Sequence, residues 1–375
     1  MPPCGPVLVS VPVDDWDQHT ERVPTRAVST RTRPEPELIA RISAALEASE
    51  RPAFVVGAAA DRDGAWNEVV ALAEAHNARV WVAPMSGRCS FPEDHRLFAG
   101  FLPAMRERIV ELLEGHDLIL AIGAPAFAYH VEGAGPHVPA GAALCQLTED
   151  PDTAAWAPVG ISAVGSIRLG LLDLLAVPPK KTRPLPPARK ATARAEPTPL
   201  MSVAYVLQTL AEARKPEHIV VEEAPSARPV MQAHLPFTRS ETFYTMDSGG
   251  LGYGMPASVG VALGKPGSRV ICLIGDGSSM YSIQALWSAA QNKLPITFVI
   301  LNNRRYAALQ DFAPVFGFSP TDVVQGTELP DLDFQSLAKG MGCTAVRVTD
   351  PADLRKALDE ALASDAPGVV EVRVA

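Results

Sequence analysis

Residues 273–303 read LIGDGSSMYSIQALWSAAQNKLPITFVILNN. An apolar run halts at Gly-Asp-Gly, a helix-like stretch follows, and a second apolar run halts at Asn-Asn. In open α/β sheets, ligands bind at the carboxyl ends of strands, where loops meet helix N-termini. If the two runs are neighbouring strands, Asp276 and Asn303 project at one sheet edge. Gly275 and Gly277 are expected to permit unusual backbone angles and close approach of a bulky ligand. One carboxylate, one amide oxygen and a nearby backbone carbonyl make a hard oxygen set. It suits Mg²⁺, which takes about six oxygens at about 2.1 Å and usually keeps phosphates and water among them. A single negative charge from protein leaves the ion positive enough to hold a diphosphate. The bland alternative is a glycine-rich turn and an unrelated Asn cap. The strand–helix–strand spacing and the double Asn speak against it.

Such strand ends need a sheet behind them. Before residue 178, short apolar runs (PAFVVGAA, ARVWVAP, DLILAIG, AALCQLTED) alternate with helical periods such as GAWNEVVALAEAHN, MRERIVELLEGH and SIRLGLLDLLA. After residue 200 the same alternation returns: LMSVAYVLQTLAEAR, HIVVEE, GYGMPASVGVALG, RVICLIG, SIQALWSAAQN, ITFVILNN, then helix, strand, helix and a closing strand, GVVEVRVA. Strands alternating with helices predict parallel sheets covered on both faces. The fold class is therefore α/β, with two Rossmann-like three-layer domains at residues 21–178 and 200–375. Between them, residues 178–199 hold seven prolines, six basic residues and one acid. Proline removes donors and favours extended chain, so 179–199 reads as a stiff, solvated linker. Residues 1–20 differ. GPVLVSVPV reads as one strand, yet one strand cannot bury its own faces. It reads as the last strand of a domain otherwise outside this sequence.

The bulk numbers set bounds. A chain of 375 residues, 47% hydrophobic, can bury two cores. A formal charge of −9 disfavours a nucleic-acid partner. Five cysteines, an odd number without a C-x-x-C pair, suggest neither a disulfide framework nor structural zinc, and a reducing cytoplasm is expected. The longest apolar runs, such as 296–301, are too short to span a bilayer. The first residues lack the basic region of a signal peptide.

The GDG…NN pair resembles the thiamine-diphosphate signature. Longer stretches (WVAPMSGRCSFPEDH, LLEGHDLILAIGAPAFAYH, GGLGYGMPASVGVAL, VILNNRRYAAL) are similar to the thiamine-diphosphate-dependent 2-oxo acid decarboxylases, and among them to the benzoylformate decarboxylase family, nearly end to end. The resemblance implies thiamine diphosphate and Mg²⁺ as cofactors. It implies non-oxidative decarboxylation of an aromatic 2-oxo acid, benzoylformate to benzaldehyde and CO₂. Asp276, Asn303 and the backbone carbonyl of Arg305 would hold the metal. Gly275, Gly277 and Ser278 would line the diphosphate, with Tyr306 beside them. Leu251 would sit beneath the cofactor rings and Gly249 would offer its carbonyl to the aminopyrimidine. His130 matches a proton-transfer histidine, a task suited to a group that titrates near neutral pH. Leu309 and Phe312 would line the aromatic pocket. Without the resemblance these last are a core Leu, a loop His and the apolar face of a helix.

Departures are equally specific. Pro225 stands where close relatives carry a hydroxyl, for which Ser226 is the expected substitute. Arg304 and Arg305 stand where small residues are common. The activating Glu of the family lies on an N-terminal pyrimidine-binding domain, and no Glu here matches it. The expected partners are thus a 2-oxo acid substrate and a pyrimidine-binding domain from another chain or from upstream sequence, within a homo-oligomer. By itself the chain is expected to show little or no decarboxylation. Alternatives are an acetolactate-synthase-like carboligase and a non-catalytic cofactor-binding remnant.

Overall fold

The apolar runs that alternate with helix patterns become strands, and the central ones, such as Pro52–Val56, Leu118–Ile122 and Ile296–Asn302, are buried on both faces. The computed structural model describes residues 3, 8–319 and 321–375. The first sheet comprises β1 (Pro52–Val56), β2 (Arg79–Val82), β3 (Phe98–Phe101), β4 (Leu118–Ile122), β5 (Ala143–Thr148) and β6 (Ile161–Val164). All are parallel, in the order β3-β2-β1-β4-β5-β6. The second comprises β7 (Ile219–Glu223), β8 (Phe243–Thr245), β9 (Val270–Gly275), β10 (Ile296–Asn302), β11 (Thr344–Val348) and β12 (Gly368–Arg373). It is also parallel throughout, ordered β11-β12-β10-β9-β7-β8.

Strand alternation divides the cores. Along β10, Val299 and Leu301 pack on one face, while Ile296, Phe298 and Ile300 pack on the other. The helices close these faces, and their ends are set locally. Ser202 accepts the Tyr205 N–H at 3.2 Å and Asp350 the Ala352 N–H at 2.9 Å, satisfying donors that have no partner within the helix.

Three short strands, β3, β6 and β8, go beyond the sequence reading. They have three or four residues each and little apolar contrast with their flanks. The strand expected over residues 5–13 is the opposite case. Residues 5–7 lie outside the described residues, residues 8–12 carry no regular structure, and Val13–Asp15 is one turn of 3₁₀ helix. With no neighbour to pair with, its backbone forms no ladder, and Leu8 and Val13 are 95% and 79% exposed.

The linker is not simply solvated. Arg183 is buried at 4% exposure. Its Nε donates to the Ser49 carbonyl at 3.0 Å and its Nη2 to the Leu46 carbonyl, at the end of helix Pro36–Ala48. Further on, Thr192 donates to the Ala233 carbonyl at 3.0 Å and Gln208 accepts the Ala195 N–H at 2.8 Å. The segment straps first one domain and then the other. Direct contacts also join them. Arg88 pairs with buried Asp61 at 3.1 Å and lies over the Tyr244 ring at 4.9 Å, while Glu93 and Phe237 exchange two hydrogen bonds.

Candidate active site

β9 and β10 are adjacent, with Leu301 opposite Gly275, so their carboxyl ends share one edge of the sheet. β9 runs directly into a short helix, Asp276–Ser279, and Asp276 is 3% exposed. One Asp276 oxygen accepts the Gly277 N–H at 2.8 Å and the other the Arg304 N–H at 2.6 Å. Asn303 accepts the Arg305 N–H at 3.1 Å. The Asp276 carboxylate and the 303–305 turn after β10 are thus locked together. Burial pushes the Asp276 pKa up, partly offset by these backbone N–H groups. No Lys or Arg side chain pairs with Asp276 among the described residues.

This donor set fits a hard divalent cation. A buried carboxylate without a counter-cation carries an uncompensated charge. The Arg305 carbonyl accepts no hydrogen bond among the described residues, although its neighbours do: Leu329 N–H donates to Arg304 O and Leu309 N–H to Tyr306 O. Carboxylate, amide oxygen and free carbonyl are the ligands magnesium takes. No cluster of three or more His, Cys, Asp or Glu capable of holding a metal occurs among the described residues.

Gly277 lets the cradle close. A Cβ there would lie 2.3 Å from a Tyr306 ring carbon, so only glycine admits that ring. The expectation of unusual backbone angles is not met: Gly275 has φ −75°, and Gly277 acts through close packing. Ser278 is buried in the same turn and Ser279 Oγ donates to the Asp276 carbonyl at 2.7 Å.

The other end is open. Gly249 lies on an exposed loop after β8, and Leu251 is 38% exposed. His130 is exposed and donates its backbone N–H to Ala104 at 3.0 Å. The hydroxyl of the adjacent Tyr129 lies 3.1 Å from His137 Nδ1. Ser226 is exposed in the turn after Pro225. Between the two domains runs a cavity of about 470 Å³ whose walls include His130, Gly249, Met246, Pro225 and Arg228. Leu309 and Phe312 are outside it. They stand 57% and 41% exposed on helix Ala307–Phe312, where Phe312 meets Phe316 edge-on at 5.5 Å.

Two residues that the motif reading gave no role are central. Glu222 and Glu223 end β7, both fully buried, and successive strand residues face opposite sides. Glu222 accepts Thr245 Oγ1 at 2.9 Å and pairs with Arg228 at 2.6 Å, bracing the cavity wall. Glu223 accepts the Gly252 N–H at 2.8 Å and the Gly254 N–H, bracing the glycine loop. The available signal was two acids closing an apolar run in a sheet covered on both faces, where neither can reach water.

A one-carboxylate oxygen cradle at two central strand ends and a glycine-rich loop in the same domain define an α/β protein of the diphosphate-binding class. Residues 39–174 match the central domain of thiamine pyrophosphate enzymes, and residues 226–372 their C-terminal TPP binding domain. Benzoylformate decarboxylase of Pseudomonas aeruginosa is 40% identical over 99% of this chain and 71% of its own length. An acetolactate synthase large subunit of Parasynechococcus marenigrum is 27% identical over 99% of this chain and 63% of its own. The structure of benzoylformate decarboxylase from Polynucleobacter necessarius superposes with a TM-score of 0.92 at 35% identity, covering 97% of this chain and 69% of that one. That of the Rhodococcus jostii RHA1 4-hydroxybenzoylformate decarboxylase gives 0.88 at 37%, covering 93% and 66%. The chain belongs to the family of thiamine-diphosphate-dependent decarboxylases.

Proposed function

We propose that the chain carries the central and diphosphate-binding parts of a thiamine-diphosphate- and Mg²⁺-dependent decarboxylase acting on an aromatic 2-oxo acid, with benzoylformate as the reference substrate. The observation that carries this reading is the interdomain cavity: His130 from one domain and Gly249 from the other share its walls. About 470 Å³ suits an aryl group, within the range of small-molecule pockets.

Asp276, Asn303 and the Arg305 carbonyl would hold the metal. Gly275, Gly277, Ser278 and Tyr306 would shape the diphosphate seat. When bound, thiamine diphosphate supplies the nucleophilic carbon and the electron sink for decarboxylation. Gly249 and Leu251 orient its rings. The two domains wall the cavity. The His130 imidazole relays the proton that takes the place of the lost carboxylate, giving the aldehyde. Ser226 lies close enough in sequence to Pro225 to serve as the missing hydroxyl. Leu309 and Phe312 would join the pocket only once a neighbouring chain covers them. The carboxylate that activates the cofactor comes, on this reading, from a pyrimidine-binding domain beyond these residues, within a homo-oligomer.

The test is decarboxylation by the chain expressed together with the coding sequence adjoining it in its genome, offered benzoylformate and pyruvate. The expected result is benzaldehyde from benzoylformate, dependent on Mg²⁺. Acetolactate from pyruvate, with benzoylformate untouched, would overturn the reading in favour of a carboligase.

A further inference from the structure

The glycine loop between β8 and helix Gly254–Gly264 has few anchors. At its start, the Thr245 N–H donates to the Gly87 carbonyl at 2.9 Å. Within it, the Gly250 N–H reaches only Ser248 Oγ, at 3.3 Å. At its end, Gly252 and Gly254 both donate to one carboxylate, Glu223. This carboxylate is fully buried and pairs with no Lys or Arg among the described residues. Its compensation is the N-terminal end of the 254–264 helix, where unpaired N–H groups concentrate positive potential.

The packing shows that the contact is built. A Cβ at position 254 would lie 2.8 Å from Glu223 Cβ and 3.2 Å from its Oε2. Only glycine lets the loop descend onto the carboxylate. Glu223 ends β7, which pairs directly with β9 and sets Glu223 opposite Ile274, yet its carboxylate makes no hydrogen bond to residues 275–278 or 303–306. The two halves of the site therefore have separate anchors.

We infer that Glu223 is a positioning residue: it fixes the 249–254 loop, and with it the half of the site that receives the cofactor's rings, independently of the diphosphate cradle. This rests on the thiamine-diphosphate reading above. Charge and both oxygens matter, because two N–H donors must be satisfied at once and a charged acceptor holds them more strongly than an amide.

The inference is tested with two probes, Mg²⁺–thiamine diphosphate and Mg²⁺–inorganic pyrophosphate, titrated by calorimetry into wild type, Glu223→Gln and Gly254→Ala. Pyrophosphate reports the cradle alone. Wild type is expected to bind both. Glu223→Gln is expected to lose about tenfold for thiamine diphosphate and to hold pyrophosphate unchanged. Gly254→Ala displaces the carboxylate from the other side, so it should show the same selective loss and covers a failure of Glu223→Gln to fold. Equal losses for both probes, or no loss for either, would overturn the inference and leave Glu223 as a core group only. Wild type binding neither probe would instead overturn the cofactor reading itself.

Discussion

At the metal end of the site, Asp276 is 3% exposed, sits on the central strand pair and is locked by two backbone donors. At the ring end, Leu251 and His130 stand in exposed loops, and the buried Glu223 carboxylate holds the far end of the loop that carries Leu251. The first end is preorganised by the fold itself. The second is finished only by small local devices and by whatever covers it. A diphosphate is the same in every reaction this kind of site supports, so its seat can be built into the sheet. The ring end must admit substrate and release product, which a closed core would forbid.

The comparison can be broken by attacking the platform. Phe298 is fully buried on β10, and Phe298→Ala is expected to cost about 3–5 kcal/mol in denaturant unfolding, with loss of pyrophosphate binding. A smaller cost at that site would mean that the platform is softer than the burial implies. Gly277→Ala comes next. Its new Cβ must push Tyr306 aside, for about 1–3 kcal/mol and weakened pyrophosphate binding, both measurable on one sample.

The joint between the domains sharpens the comparison through pH. Burial raises the Glu93 pKa from 4.5 to about 8, against the pull of the Phe237 N–H, Arg189 and Arg214, with Asp94 adding to the rise. Cys89 Sγ lies 3.9 Å away. The folded protein thus keeps the Glu93 proton longer than the unfolded chain. Its contribution is full below pH 4.5 and is lost as pH rises through about 8. Melting temperature should therefore decline across that window more steeply in wild type than in Glu93→Gln. Parallel curves would place the slope elsewhere. The smallest effect on stability is expected at the open end: His130→Ala should change it by less than about 0.5 kcal/mol. The same change should slow decarboxylation by the active assembly about 10²–10⁴-fold. A destabilised His130→Ala would show that this loop is less independent than its exposure suggests.

This asymmetry explains what was legible in the sequence. β1, β9 and β10 are apolar runs bounded by glycine or asparagine, so both the fold class and the Asp276–Asn303 edge could be read directly. The sequence reading missed β8 because three residues, Phe243–Thr245, carry no periodicity; their strand state comes from pairing with β7. Arg183 could not be read as a buried strut, since its composition is that of a linker and its partners, Leu46 and Ser49, lie far away in sequence. The role of Glu223 depends on where a loop some thirty residues later descends, which no local pattern encodes. Leu309 and Phe312 have helical apolar spacing, yet nothing among the described residues buries them.

The central claim is that the Asp276–Asn303 edge seats a metal–diphosphate group. Calorimetric titration of Mg²⁺ and thiamine diphosphate into wild type and Asp276→Ala tests it most directly. The account predicts Mg²⁺-dependent binding by wild type and its loss in Asp276→Ala, with the cooperative unfolding transition retained, since relief of a buried charge offsets the two backbone donors left without an acceptor. Equal binding by the two proteins would contradict it.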